Sequence, residues 1–280
     1  MSHPERTRMM RRVHIGMVAA GFVMLSACAS APLPESVAAD GRAVVFEAER
    51  AFAVAAQTEG AKQGFLSVLA DDSIVFTGTG VVSGIARYSA APESRFSLAW
   101  WPVEGEGAAS DDLFFSTGPY VLASDGQDRG FGQYLSVWQR QADGSIRLLA
   151  DHGISLPADL VGPQHAAFSG LFADAWAARR PALAACEGTL DAADAALNAV
   201  TSPSASAILL RNDQVSTVGT VSGAEARFQM RRAATAASGD LGMTAGEGKA
   251  NDTGGAVPTY LRIWTRSGCK WQVLIDLESG

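Results

Sequence analysis

Asp151 and His152 are neighbouring residues whose side chains could exchange protons with a substrate. A carboxyl group and an imidazole can act as general acid and base, and the ordinary pKa of histidine lies close to neutral pH. We therefore take both as candidate catalytic residues at the mouth of a pocket. Adjacent residues of a strand point to opposite faces of the sheet, so both can line one pocket only if the strand bulges.

The chain contains an internal repeat, and only one residue of this pair recurs in its second copy. Asp151 recurs as Asp276, whereas His152 is replaced by Leu277. This difference favours a structural role for the aspartate, whose carboxylate would accept hydrogen bonds from backbone donors at the strand end.

Aromatic side chains are the second group that could form a site. Most should belong to the core, but some could line an apolar pocket. Trp100 and Trp101 are the preferred pocket residues because they are adjacent, bulky and absent from the later copy of the pattern. The complete set of pocket candidates is Trp100, Trp101, Tyr120, Tyr134 and Trp138.

The remaining polar residues indicate neither a metal site nor a cofactor. After residue 27 the histidines are His152 and His165, and no His, Cys or carboxylate residues recur at metal-ligand spacing. Asp71 and Asp72 are interpreted as solvated acids at a helix-to-strand turn.

The composition predicts a globular protein that does not bind nucleic acid. The chain has 280 residues, of which 48% are hydrophobic, so it can bury a sizeable core. After residue 27 it has 18 basic and 28 acidic side chains, a net charge of −10. Such an acidic chain would be repelled by a phosphate backbone.

The N-terminus has the pattern of a lipoprotein signal peptide. The basic residues of 6–12 precede an apolar run, 13–25, that is too short for a stable membrane span. Leu25-Ser26-Ala27-Cys28 then resembles the bacterial lipobox. We predict a signal peptide over 1–27, lipidation of Cys28 and a tether over 28–42. Ala29 after the cysteine favours the periplasmic face of the outer membrane over the inner membrane.

Two further cysteines, Cys186 and Cys269, remain once Cys28 is lipidated. An oxidising periplasm favours a disulfide between them. The bond requires Cα atoms within about 7 Å, which the sequence does not decide.

An internal repeat organises the rest of the chain. Residues 134–140, Tyr-Leu-Ser-Val-Trp-Gln-Arg, recur at 260–266 as Tyr-Leu-Arg-Ile-Trp-Thr-Arg, and three further blocks recur in the same order. The second copy lacks twelve residues where the first holds a predicted strand over 97–103. A cavity in the second copy should therefore be smaller or more open.

Each copy begins with helical spacing and continues with strand-like segments, which is the pattern of an α+β fold. We predict two tandem cone-like domains, each a curved antiparallel sheet wrapped over N-terminal helices. Their ranges are 43–157 and 188–280, with a connecting helix over 158–187. The two domains should pair within one chain, so we expect a monomer.

This order of elements, together with the Tyr-x-x-Val-Trp-x-Arg hairpin and its closing Asp, resembles the nuclear-transport-factor-2-like superfamily. The segments 69–72, 117–120 and 138–144 resemble a bacterial subfamily of unknown function within it. The resemblance implies a cystatin-like cone around an apolar pocket. It covers isomerases, cyclases, dehydratases and many proteins that are not enzymes, so it implies no particular activity.

These observations predict a membrane-anchored periplasmic lipoprotein without enzymatic activity, which binds a small apolar ligand or a partner in the cell envelope. The alternative is an isomerase, cyclase or hydrolase that acts in the pocket of the first domain. Asp151, His152 or Tyr120 would then carry the chemistry. The residues that set catalysis in enzymes of the superfamily are not matched position by position, which favours the first interpretation.

Overall fold

The computed structural model describes residues 40–160, 176, 186–199, 205–212, 214–221, 228–249 and 254–280. The predicted signal peptide, the lipobox and nearly all of the tether lie outside these residues. So does the connecting segment, except for residues 158–160, 176, 186 and 187.

Two helices open the first half. Helix α1 is Gly41–Glu59, and the Asp40 carboxylate caps it by accepting from the Arg42 N–H at 3.1 Å. Helix α2 is Ala61–Val68. The two helices pack closely at Gly64, where a Cβ atom would lie 2.6 Å from the Cα of Ala56. Only glycine permits this contact.

The first sheet follows these helices and is antiparallel except for one strand pair. Its strand order is β2-β1-β7-β6-β5-β3, with β4 also paired to β5, and β1 runs parallel to β7. Helix α3, Gly84–Ala90, follows β2, and a 3₁₀ turn, Ala158–Leu160, follows β7. The strands are β1 Leu69–Thr77, β2 Gly80–Ser83, β3 Ser97–Trp100, β4 Glu104–Gly107, β5 Leu113–Ser124, β6 Gln127–Arg140 and β7 Ile146–Leu156.

The described residues of the second half repeat this strand topology. Helix α4, Leu190–Ala199, begins after Thr189, whose hydroxyl accepts from the Ala192 N–H at 3.2 Å. The strand order is β10-β11-β12-β13-β8-β9, and β8 runs parallel to β13, as β1 does to β7. The strands are β8 Ala205–Arg211, β9 Gln214–Val221, β10 Gln229–Thr235, β11 Leu241–Glu247, β12 Thr259–Ser267 and β13 Lys270–Ser279. The predicted α+β class is confirmed, with one parallel strand pair in each sheet.

Strand register places the repeated residues at equivalent positions. Tyr134 lies opposite Gly118 in the first sheet, and Tyr260 lies opposite Gly246 in the second. A Cβ atom on Gly246 would come within 2.5 Å of the Tyr260 ring. The glycine therefore gives the tyrosine ring room to lie across the neighbouring strand.

The twelve-residue deletion removes a strand from the second half. Arg232 of β10 pairs with Ala245, as Glu104 of β4 pairs with Thr117, so β10 is the counterpart of β4. No counterpart of β3 occurs among the described residues. No counterpart of α2 occurs among the described residues either.

The two sheets share one hydrophobic core. One continuous cluster joins Phe115 and Leu135 of the first sheet to Leu210, Met243 and Leu261 of the second. Each of these side chains is fully buried. Trp176 of the connecting segment packs edge-on against Phe115, with ring centroids 6.0 Å apart.

Two loops at the edge of this core make reciprocal contacts. The Ser110 and Ser238 hydroxyl oxygens lie 2.9 Å apart, and each accepts from the backbone N–H of the other serine, at 3.2 and 3.0 Å. Asp112 and Asp240 each accept from a backbone N–H of the opposite loop, at 2.9 and 3.2 Å. Such mutual exchange is the pattern that a two-fold axis imposes on homodimers.

A disulfide joins Cys186 and Cys269, with their Cα atoms 5.1 Å apart. It connects the segment before α4 to the turn between β12 and β13, so it fixes the helix at the end of its sheet.

Buried charged side chains lie on the face of the second sheet that packs against α4. Arg262 is fully buried, and its guanidinium donates to Asp276 at 2.7 Å and to Asp194 at 3.0 Å. Arg211 adds a second contact to Asp276 at 2.7 Å. The neighbouring arginines lower the pKa of Asp276, although its burial acts in the opposite direction.

We expect Arg262→Met to destabilise the fold by about 3–5 kcal/mol, because it leaves the buried Asp194 without its cation and Asp276 with Arg211 alone. The exposed pair between Arg231 and Glu247 supplies the control, and Arg231→Gln should cost less than about 1 kcal/mol. Urea unfolding of both variants measures the two values. Equal losses would show that the buried network has no special role.

Candidate functional site

A cavity of about 410 Å³ lies in the first half, between the sheet and its three helices. Its volume lies within the range of small-molecule sites, and most of its wall is aromatic or aliphatic. The lining residues are Phe52, Phe65, Phe76, Tyr88, Leu98, Trp100, Tyr120, Leu122, Tyr134, Asp151 and Gly153.

Helices α1, α2 and α3 supply one wall of this cavity. Phe65 stacks on Tyr88 with ring centroids 4.0 Å apart, and Phe52 meets Phe65 edge-on at 4.7 Å. Phe52 also meets Trp100 of β3 at 4.5 Å. No counterparts of β3 and α2, which contribute to this wall, occur among the described residues of the second half.

Glu49 holds Trp100 in place from behind the cavity. Its buried carboxylate accepts from the Trp100 Nε1–H at 2.9 Å, the Trp138 Nε1–H at 2.8 Å and the Ser116 hydroxyl at 2.6 Å. Burial raises the pKa of Glu49, which these hydrogen bonds partly offset. Sequence reasoning missed Glu49, although it shares the inner face of α1 with Val45, which could have drawn attention to it.

Asp151 supplies the carboxyl group of the cavity lining. The Ser136 hydroxyl donates to it at 2.8 Å, and no basic side chain is among the described residues that line the cavity. Burial raises the pKa of Asp151 to about 7, with a smaller contribution from the nearby Glu49. The carboxyl group can therefore gain or lose a proton near neutral pH.

Two tyrosines lie close to this acid. The buried Tyr134 hydroxyl has no hydrogen-bond partner among the described residues, whereas the Tyr120 hydroxyl donates to the Ile154 carbonyl at 3.1 Å. Burial raises the pKa of both tyrosines, so both stay protonated at neutral pH. Tyr134 is thus a buried donor that a ligand could satisfy.

Three of the five predicted pocket aromatics line the cavity, namely Trp100, Tyr120 and Tyr134. Trp101 does not line it, because it is 46% exposed just beyond the end of β3. Trp138 lies in the core with its indole N–H bound to Glu49, so it supports the wall from behind. Neither tryptophan is therefore among the described residues that line this cavity.

His152 does not join Asp151 in the cavity. It is buried on the other face of β7, where its Nε2 lies 2.9 Å from the Thr259 hydroxyl and its ring stacks on Phe76 at 4.0 Å. Burial lowers its pKa to about 3, so the ring is neutral at physiological pH. Strand alternation separates the two side chains, and the structure excludes an Asp151–His152 pair within the cavity.

The two repeated aspartates have different partners, and neither conforms to the predicted backbone-capping role. In the first sheet Asp151 lies opposite Ser136, and in the second sheet Asp276 lies opposite Arg262. The hydroxyl leaves Asp151 without a cation, whereas the guanidinium neutralises Asp276. The same strand position therefore yields a titratable acid in one half and a structural ion pair in the other.

Two negative findings concern the described residues. They contain no group of three or more His, Cys, Asp or Glu side chains that could hold a metal ion. No helix among them has the length and apolar character needed to cross a membrane.

Asp71 and Asp72 are exposed on β1, and Asp72 pairs with Arg232 at 2.5 Å.

These features define the first half as an α+β domain with an apolar cavity and one carboxyl group in its wall. No protein-family model and no curated protein matches the sequence.

Among solved structures, the chain is similar to NTF2-like proteins over part of its length. One, of unknown function, from Pseudomonas putida KT2440, is 14% identical, with 42% of this chain and 88% of that one covered and a TM-score of 0.33. The protein from Cytophaga hutchinsonii ATCC 33406 is 19% identical, with 40% and 96% covered and a TM-score of 0.32. An NTF2-like protein with a cystatin-like fold from Novosphingobium aromaticivorans is 12% identical, with 43% and 85% covered and a TM-score of 0.35.

We expect Asp151→Asn to stabilise the protein at about pH 8 and to have little effect at about pH 4. With a folded pKa of about 7 against an ordinary 3.8, Asp151 keeps its proton over a pH range in which the unfolded chain loses it. Its contribution to stability therefore falls as the pH rises from about 4 to about 7, and asparagine removes this loss. Urea unfolding at both pH values measures it. A difference that does not change with pH would contradict the raised pKa.

Proposed function

We propose that the first half of this chain binds a small apolar ligand in the cavity between its sheet and helices. The observation that carries the proposal is the aromatic wall around a space of about 410 Å³. Burying a hydrocarbon group against such a wall removes apolar surface from water, at about 25 cal/mol per Å². The unpartnered Tyr134 hydroxyl would orient one polar atom of the ligand.

The second half has a different role in this proposal. Its corresponding inner side is occupied by the buried Arg262 and its carboxylates, so it acts as a scaffold for the first half. The reciprocal loop contacts support pairing of the two halves within one chain, and we propose that the protein is a monomer. The sequence motifs and the shared strand order support assigning both halves to the nuclear-transport-factor-2-like superfamily.

Binding is tested with the neutral fluorescent dye N-phenyl-1-naphthylamine, whose emission rises in apolar surroundings. We expect saturable binding of one dye per chain. Leu122→Trp, in the cavity wall, should weaken it at least about tenfold, equivalent to about 1.4 kcal/mol.

Val121→Trp is the matched control, because Val121 is the neighbouring residue of β5 and does not line the cavity. It should bind the dye as the unmodified chain does. Equal weakening by both variants, or no saturable binding at all, would refute the cavity as the site.

Proton transfer is the second candidate function, and the raised pKa of Asp151 favours it. An acid that titrates near pH 7 can serve as base and acid in turn, which isomerisation requires. His152 has no part in this version, because it lies outside the cavity.

We expect this candidate to show as deuterium exchange into an apolar carbon acid. With 2-tetralone in D₂O, followed by NMR, the chain should accelerate exchange next to the carbonyl, and Asp151→Asn should abolish the acceleration. If the unmodified chain and Asp151→Asn give equal rates of deuterium exchange, proton transfer is refuted and ligand binding is left as the sole proposed function of the cavity.

We further propose that Cys28 anchors the protein to the periplasmic face of the outer membrane. The sequence Leu25-Ser26-Ala27-Cys28 after an apolar run supports this proposal. Two or three acyl chains would hold the protein durably, because each buried methylene contributes about 0.8 kcal/mol.

The anchor is tested by Cys28→Ser in cells supplied with labelled palmitate. We expect the unmodified chain to carry the label and to sediment with membranes, and the variant to do neither. Cys186→Ser is the control, because it removes a different cysteine and should keep the label. Label on the Cys28 variant would disprove the anchor.

A further inference from the structure

A second cavity, of about 370 Å³, adjoins the apolar one on its outer side. The two share four lining residues, Phe65, Tyr88, Leu98 and Leu122. The two cavities are therefore direct neighbours.

The outer cavity differs from the inner one in charge. Lys62, Arg87 and Arg95 line it together with one acid, Glu93. Arg87 and Arg95 are exposed, and neither forms an ion pair with a described residue. The whole chain has a net charge of −7, so the positive charge of this lining is opposite in sign to the net charge of the chain.

Two of the three basic side chains, Lys62 and Arg87, have contacts that place them beside the residues of the outer cavity. The Lys62 Nζ donates to the Ala91 carbonyl at 2.8 Å, which positions the ammonium at the rim. The guanidinium of Arg87 lies 6.0 Å from the centre of the Tyr88 ring, a residue that both cavities share. A guanidinium presents a fork of N–H donors that matches a carboxylate.

We propose that the two cavities form one site for an anionic amphiphile, such as a medium-chain carboxylate. Its hydrocarbon part would fill the inner cavity, and its carboxylate would lie between Arg87 and Arg95. This inference rests on the proposed ligand binding and adds the chemical class of the ligand. The orientation follows from Asp151, because a carboxyl group without a cation disfavours an anion at the inner end.

The test compares dodecanoate with dodecanol, each displacing N-phenyl-1-naphthylamine from the purified full-length chain below the critical micelle concentration. The two probes share one chain length and differ in the charge of the head group. At pH 8 and low salt we expect dodecanoate to bind at least about tenfold more tightly, and the preference to shrink as salt is added.

The double variant Arg87→Gln/Arg95→Gln should reduce the preference for dodecanoate to within about twofold and leave dodecanol binding unchanged. Arg129→Gln is the matched control, because Arg129 is exposed on β6 and lines neither cavity. It should keep the full preference.

The outcomes separate this inference from the proposed function. If both alkyl probes bind equally, or the double variant keeps the preference, the anionic head-group site is wrong while apolar binding stands. If neither probe nor the dye binds, the cavity is not a ligand site and both proposals fail.

Discussion

The burial of one face of each sheet against the other is the constraint on which the rest of this fold depends. The central side chains of this core, such as Leu135, Leu261 and Ile275, are fully buried. A sheet that buries one face must still cover its second face, or leave apolar surface in water. The two halves of the chain cover this second face in different ways, and the candidate site results from that difference.

In the first half, helices and an added strand cover the second face without filling it. Ser136 is small, so space remains beside Asp151, and Glu49 fixes Trp100 as part of the wall. In the second half Arg262 takes the position of Ser136 and joins the carboxylates of α4 and β13. At this strand position the first half thus has a hydroxyl beside a cavity, whereas the second half has a guanidinium within a buried ion network.

The pKa of the cavity's carboxyl group, Asp151, is raised because the group is buried and no basic side chain is among the described residues that line the cavity. Asp276 has two arginines and remains an anion, whereas Asp151 has one hydroxyl and titrates near pH 7. A buried acid without a cation costs stability. Retaining such an acid beside an open space is more typical of a binding or catalytic site than of a structural core.

The sequence by itself determined the repeat, the α+β class and three of the seven aromatic residues that line the cavity, because strand alternation and helical spacing are local properties. It also showed that Asp151 and His152 should point to opposite faces. Only the tertiary structure decided which face became the cavity, that Trp101 is about half exposed and that Glu49 supports Trp100. These outcomes depend on which side chains meet across strands and helices distant in sequence, and packing and burial act only once those elements come together.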